Sequence, residues 1–439
     1  MRRISCIIIC LAIFCMIFLN CIKAEDTPKT EWIKRYGGYR GRGTDIISTS
    51  DGDHIIISDN WTGSIDGSNI WLVKINNDGE EIWNKSIITN FIDIVGSVTL
   101  TKDDGYIIVG KSYDNGLVLM KTDEEVNVEW TNTINGSAFL LFDIIQTSDD
   151  GYTILGTTEL YGNGDEDVWL IKTDNNGNEL WNKTFGGSNQ DRGNEIKQTS
   201  DNGYIIVGRK GLSNGEIYLI KTDENGNAEW EKTYGYWEGC SLEITDDGGY
   251  IIAGTWSSSG PPEDDMVLIK TDQNGNIEWK KNIGGEEGEW GQSVIQTNDG
   301  GFIISGLTYT YVEGDTDNNV WLIKTDKDGN KIWDRIINDE QDHFWDSKII
   351  ELIDGNYFLL STWYASYGET EGEGIWLAKI PSGEYLFDSE DFFNKTEDAE
   401  EKNLSENEGD NTGTPGFEII LILSAITLVF FMKRKRKRG

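Results

Sequence analysis

Very little in this chain can do histidine or thiol chemistry. It has 2 histidines, His54 and His343, and 5 cysteines, all but Cys240 lying in the first 24 residues. A lone thiol excludes a disulfide within the remainder, and a chain long enough to bury a large core does without one. No Cys/His set has zinc spacing and no Ser/His/Asp arrangement repeats a known nucleophile motif. Any catalysis would therefore rest on carboxylates. Positive charge is scarce as well. Lys and Arg number 38 against 76 Asp and Glu, for a net charge of −38. That balance lacks the basic footprint needed to bind nucleic acid. It suits solubility at high ionic strength or a crowded cell surface. Helical periodicity is missing throughout the central region.

Tryptophan, in contrast, is abundant, with 17 residues. Trp32, Trp83, Trp130, Trp181, Trp230, Trp279 and Trp333 recur about every fifty residues, which marks a repeat architecture. Each repeat holds two hairpin patterns. EIKQTSDNGYIIVG from Glu195 is one of the first kind and DVWLIKTDNNGNELW from Asp167 one of the second. Both place Val, Ile, Tyr and Trp on either side of an Asp/Asn/Gly turn. Two hairpins give four strands, a to d. Four-stranded units in this number predict an all-β, seven-bladed β-propeller over residues 25–387.

Strands a, b and c occur seven times, ending with KIIELIDGNYFLLS from Lys348 and GIWLAK from Gly374. A d strand with its Trp follows only six of these sets. The seventh, EWIKRYGG from Glu31, stands alone at the start and is expected to pair with the last blade and close the ring. The competing reading lets Tyr385–Phe387 close it instead.

The ends speak to location. Residues 1–24, with Arg2 and Arg3 before an apolar run and Ala24 before acidic sequence, read as a signal peptide. Residues 388–414 are acidic and nearly without apolar residues, as in a disordered stalk. The apolar run Ile419–Met432 is shorter than the roughly 20 residues of a comfortable spanning helix, and Lys433–Arg438 follow it. It reads as a sorting tail replaced by lipid or as a plain transmembrane anchor. Both readings put the propeller outside the cell. Six N-x-[ST] sequons, at Asn60, Asn84, Asn135, Asn182, Asn394 and Asn403, offer glycan acceptors, with Asn394 and Asn403 in the exposed stalk.

Pro415-Gly416-Phe417, an apolar tail and a basic end resemble the archaeal PGF-CTERM signal. That resemblance covers residues 415–439 and implies an archaeal source, an archaeosortase-type processing enzyme and lipid linkage at the outer face of the cytoplasmic membrane. KTDNNGNELW resembles the tryptophan-docking motif of quinoprotein-type propellers, in which a strand-d Trp packs between blades. Here the Asp-to-Trp spacing is one residue shorter. Nothing supports a quinone cofactor, because no adjacent-cysteine pair occurs after residue 24. Across residues 29–387 the repeats look still more like exported β-propeller repeats of surface proteins. Kelch repeats share the period but carry a double Gly after strand b, where this chain has one.

The turns that start at Asp174, Asp223, Asp272 and Asp326 superficially resemble calcium loops. They are too short and lack the late bidentate Glu, so no metal is expected there. Gly177, Gly226, Gly275 and Gly329 fit the left-handed position of a hairpin loop. Val126 replaces that Gly in the second repeat, which predicts a different turn. Lys74, Lys121, Lys172, Lys221, Lys270, Lys324 and Lys379 end strand c in every blade. They read as a structural salt-bridge device, paired with turn aspartates or with acids of neighbouring blades and individually weak where exposed.

The remaining tryptophans are the most informative. Trp71, Trp169, Trp321 and Trp376 sit in strand c. Trp61, Trp237, Trp256, Trp290, Trp345 and Trp363 all fall in d–a or b–c connections, which emerge on one face, in blades five, six, seven and one. Tyr364, Glu289 and Asp342 share these loops. Aromatic faces beside carboxylates suit sugar rings. The alternative is that long loops fold over and bury their aromatics. The sequence thus predicts a non-catalytic cell-surface propeller that binds a glycan or a protein on this face. A carboxylate-dependent polysaccharide hydrolase or lyase and a purely structural envelope component are the alternatives.

Overall fold

The computed structural model of the chain describes residues 30–36, 41–60, 69–88, 92, 94–112, 116–134, 138–211, 215–235, 238–256, 264–285, 287–309, 318–337, 343–365 and 372–382. Every regular element among them is a strand. The expected signal peptide 1–24, Tyr385–Phe387, the expected stalk with Asn394 and Asn403, and the expected sorting tail with Pro415, Gly416 and Phe417 lie outside the described residues. Among the described residues no helix is long and apolar enough to cross a membrane.

The strands form seven antiparallel sheets. Blade four is typical. Asp191–Gln198, Tyr204–Lys210, Glu216–Thr222 and Ala228–Tyr234 pair in that order as strands a to d. Blades one, two, three, five and six repeat the order. Blade seven is assembled from both ends of the described chain. Trp32–Tyr36 pairs with Gly372–Ile380, running from Trp32 opposite Lys379 to Tyr36 opposite Ile375. The lone N-terminal strand therefore does close the ring.

Strand c reads as a continuous apolar run because neighbouring blades cover both its faces. In Asp167–Thr173 every residue is buried. The outer strand d, as in Glu179–Phe185, is buried only in part. Its Trp packs across to the next blade's c–d turn, which gives the turn glycine two reasons to be glycine. Gly226 has φ +72, and a Cβ there would lie 2.5 Å from the Trp181 ring. The turn itself is tied by its aspartate. The Asp223 carboxylate accepts the Asn225 and Asn227 N–H groups at 2.9 and 2.8 Å.

Two expectations are corrected here. Val126 does not change the turn. Its φ is 66, in the glycine-like region, and its N–H bonds to the Asp123 carbonyl at 3.0 Å as Gly177 does to Asp174. Burial of the Val126 side chain in the core cluster of blades one and two, against Trp83, offsets the strain. The strand-c lysines are not exposed. All but Lys74 are buried. Each pairs with the a–b turn aspartate of its own blade, as Lys221 does with Asp201 at 2.9 Å. In blades two, four and five a second partner comes from strand d of the same blade, such as Glu229 at 3.1 Å from Lys221. Lys379 alone reaches a neighbouring blade, at Asp78, 3.8 Å away.

Candidate functional site

The d–a/b–c face is built from the ends of strands. Trp256 ends the strand Tyr250–Trp256, Trp290 is second in Glu289–Gln296, and Trp363 lies inside Tyr357–Ala365. These three are strand residues, not loop residues. Trp345 lies between His343–Phe344 and Lys348–Glu351, the two pieces of strand a in blade seven. Trp61, Trp237 and Asp342 lie outside the described residues.

The fold brings part of this set together. Trp290 and Trp363 are half-buried against one core cluster between blades six and seven. Trp290 meets Tyr309 edge-to-face at 4.8 Å. The Arg35 guanidinium stands over the Trp363 ring at 5.1 Å. Trp345 is 57% exposed, and its carbonyl accepts from Gln292 Nε2 at 3.2 Å. Tyr364 pairs through its backbone with His343 and Glu373. Trp256 packs elsewhere, against the cluster between blades four and five. Glu289 is fully buried. Its carboxylate accepts from the Gly285 N–H at 2.9 Å and the Thr308 hydroxyl at 3.2 Å, which fixes the d–a connection from within. The exposed aromatics among these are Trp345 and Tyr309, the latter packed against Trp290.

A second assembly surrounds the axis and was missed from sequence. One strand-a position per blade holds Asp45, Ser97, Asp143, Glu195, Ser241, Ser293 and Lys348. These side chains hand hydrogen bonds from blade to blade. Asp143 accepts the Ile196 N–H at 3.1 Å, Glu195 that of Leu242 at 2.7 Å, Ser241 that of Val294 at 3.2 Å and Ser293 that of Ile349 at 3.3 Å. Lys348 pairs with Asp45 across the seam between blades seven and one. The ring thus satisfies strand-a backbone groups that would otherwise face the axis unpaired.

Lys197 lies two residues along from this ring, 2.8 Å from Glu195 and 3.8 Å from Glu243. A cavity of about 520 Å³ opens beside it, lined by Thr99, Ile145, Gln198 and Glu243 among others. The Asp143, Glu195 and Glu243 side chains are half-buried and ringed by protein, so burial is the first influence on each. Burial, then the Glu195 charge, pushes the Asp143 carboxyl up to about 7. Burial also raises Glu243. On Glu195 the effect of burial is outweighed by Lys197, and its pKa falls below the ordinary value. Because the folded state holds the Asp143 proton more tightly than the unfolded chain does, this group's contribution weakens as pH rises from about 4 to about 7. Asp143→Asn cannot ionise. Its unfolding midpoint relative to the parent should shift in the variant's favour across that interval and stay level above it. Denaturant melts of both chains at a series of pH values test this, and parallel curves would refute it.

Among the described residues no group of three or more His, Cys, Asp or Glu side chains is placed to hold a metal ion. No protein-family model and no curated protein matches the sequence. Solved structures do resemble the fold. BBS1N in complex with ARL6DN matches with a TM-score of 0.50 at 8% identity, over 82% of this chain and 98% of that one. Sqt1 from Chaetomium thermophilum, bound to the N-terminus of ribosomal protein L10, gives 0.46 at 10% identity, over 77% and 88%. The NanB sialidase of Streptococcus pneumoniae gives 0.43 at 13% identity, over 80% and 70%. At such identities the likeness concerns the propeller fold alone.

Proposed function

We propose that the chain is an exported, non-catalytic cell-surface propeller that binds an extracellular ligand, a glycan in the first instance, through its d–a/b–c face. The observation that carries this reading is the exposure of Trp345 and Tyr309, at 57% and 43%, each directly after a buried strand residue, Phe344 and Thr308. A rigid aromatic surface offers stacking area at little entropic cost. Gln292 and the Asp346 carboxylate, which accepts the Thr362 N–H at 2.7 Å, set polar groups beside it. Trp256, Trp363, Tyr364 and Glu289, together with Trp61, Trp237 and Asp342, complete the proposed contact set or its support. The axial carboxylates Asp45, Asp143 and Glu195 already serve lysines or backbone N–H groups, which favours binding over carboxylate-dependent hydrolysis.

Residues 1–24 direct export in this reading. The stalk, glycosylated at Asn394 and Asn403, holds the propeller away from the membrane. Pro415-Gly416-Phe417 marks the tail for an archaeosortase-type enzyme, leaving the protein at the outer face of the cytoplasmic membrane. One preparation from the native host tests both halves. Intact-mass spectrometry should find the Lys433–Arg438 peptide gone and lipid attached; if the peptide remains, the tail is an ordinary anchor. On a glycan array, Trp345→Ala should bind at least about tenfold more weakly with its melting temperature unchanged. Undiminished binding would remove the patch from the ligand contact.

A further inference from the structure

The outer strands of blades one and three carry nearly the same tripeptide directly after the docking tryptophan. Asn84-Lys85-Ser86 follows Trp83 in Glu81–Ile88, and Asn182-Lys183-Thr184 follows Trp181 in Glu179–Phe185. Side chains alternate along a strand, so each lysine takes one face and the Asn and hydroxyl residue take the other. The lysine face is turned to the next blade. Lys183 donates to the Asn227 side-chain oxygen at 3.1 Å, and Lys85 donates to the Glu125 carbonyl. On the opposite face Asn84, Ser86 and Asn182 are exposed and Thr184 is half-buried. Each Asn amide donates to the glutamate three residues earlier, Asn84 to Glu81 at 2.5 Å and Asn182 to Glu179 at 2.6 Å. Asn60 is placed differently. It ends the inner strand His54–Asn60 and is paired on both sides, with Gly41 and Asn69.

A second feature sets blades one and three apart. Two residues before each Asn stands an exposed apolar side chain, Ile82 at 49% and Leu180 at 58%. In blades two, four, five and seven the same position holds Glu129, Glu229, Glu278 and Glu31, each ion-paired with the strand-c lysine of its own blade. Blade six has Ile332 there, with the charged Asp334 in the place of the Asn. Blades one and three thus carry a charge at neither position. An outer strand with apolar side chains and no such charge invites pairing with another chain unless something bulky and polar covers it.

We propose that Asn84 and Asn182 are N-glycosylation sites on the rim of the propeller. The proposal rests on the export reading above, since it needs the chain to meet the host's glycan-transfer machinery. In the transfer, Asn Nδ2 bonds to the anomeric carbon of a sugar carried on a lipid as a glycosyl phosphate. The bond from that carbon to the phosphate oxygen breaks, the phosphate leaves with the electron pair, and the nitrogen gives up one of its two protons. The proton that stays is enough for the bond to Glu81 or Glu179. The hydroxyl of Ser86 or Thr184 completes the acceptor sequence.

The full chain is purified from its native host and its glycopeptides are read by mass spectrometry. The peptides holding Asn84 and Asn182 should carry glycan, and the one holding Asn60 should be bare. Asn84→Gln and Asn182→Gln should each lower the intact mass by one glycan. Ser86→Ala should remove the glycan at Asn84 with the acceptor Asn still present, and Ser86→Thr should keep it. Glycan on Asn394 and Asn403 with Asn84 and Asn182 bare overturns the proposal and leaves the export reading standing. Glycan on none of the sequons overturns the proposal and the glycosylated stalk together. Equal occupancy at Asn60 overturns the selection of these two sites by the fold.

Discussion

Deleting residues 25–36 should destabilise the propeller by about 5 kcal/mol or more, whereas deleting the stalk 388–414 should change its melting temperature little. The strand Trp32–Tyr36 contributes a full hydrogen-bonded ladder to blade seven. It also ties blade seven to blade one. A Cβ on Gly79 would lie 2.2 Å from the Trp32 ring, the Tyr36 hydroxyl donates to the Gly79 carbonyl, and Lys34 donates to that of Asp78. Trp32 meets Phe358 edge-to-face at 5.5 Å, and Tyr36 belongs to the core cluster between the two blades. Loss of the strand removes these contacts together and leaves Gly372–Ile380 as an unpaired edge. Thermal melts of the two deletions decide the matter, and equal losses would show that the N-terminal strand is dispensable for closure.

Trp181→Ala should cost about 3–5 kcal/mol, and Trp345→Ala less than about 1. Both residues are tryptophans on the same propeller, so the contrast comes from their surroundings. Trp181 spans the gap between blades three and four. It packs against a cluster that includes Leu155, Phe185 and Tyr218, meets Tyr204 at 6.2 Å and lies on Gly226. Truncation leaves a hole bounded by two rigid sheets, which cannot collapse into it. Trp345 has solvent over more than half its surface. Denaturant unfolding of both variants gives the two values. A Trp345 variant as unstable as the Trp181 variant would make that residue part of the core and take away the main support for a binding face.

Much of the fold could be read from the chain because its devices recur. A Trp near every fiftieth position, a Lys at the end of every strand c and an orphan strand at the start define blades, network and closure together. The axial ring was hidden for the opposite reason. Asp45, Ser97, Asp143, Glu195, Ser241, Ser293 and Lys348 are equivalent in space, but no one residue type is common to all seven, so their relation emerges only once the register with strand b is known. In a chain this acidic, three more carboxylates attract no notice. Trp256, Trp290 and Trp363 could not be assigned to strands because the ladders run further toward the d–a/b–c face than the repeat motif does.

The closing of blade seven also sets how the molecule bears tension. Any pull transmitted from beyond Ser382 enters the sheet through Gly372–Ile380. That strand has hydrogen-bonded neighbours on both sides, Tyr357–Ala365 and Trp32–Tyr36. Had the chain ended in an outer strand, force could peel that strand away one bond at a time. Here two ladders must shear at once, so the load falls on a clamp rather than a zipper. Forced unfolding is governed by the rate of crossing that barrier, not by equilibrium stability. Tension applied from beyond Ser382 is thus resisted where it enters the sheet, with the N-terminal strand serving as one jaw.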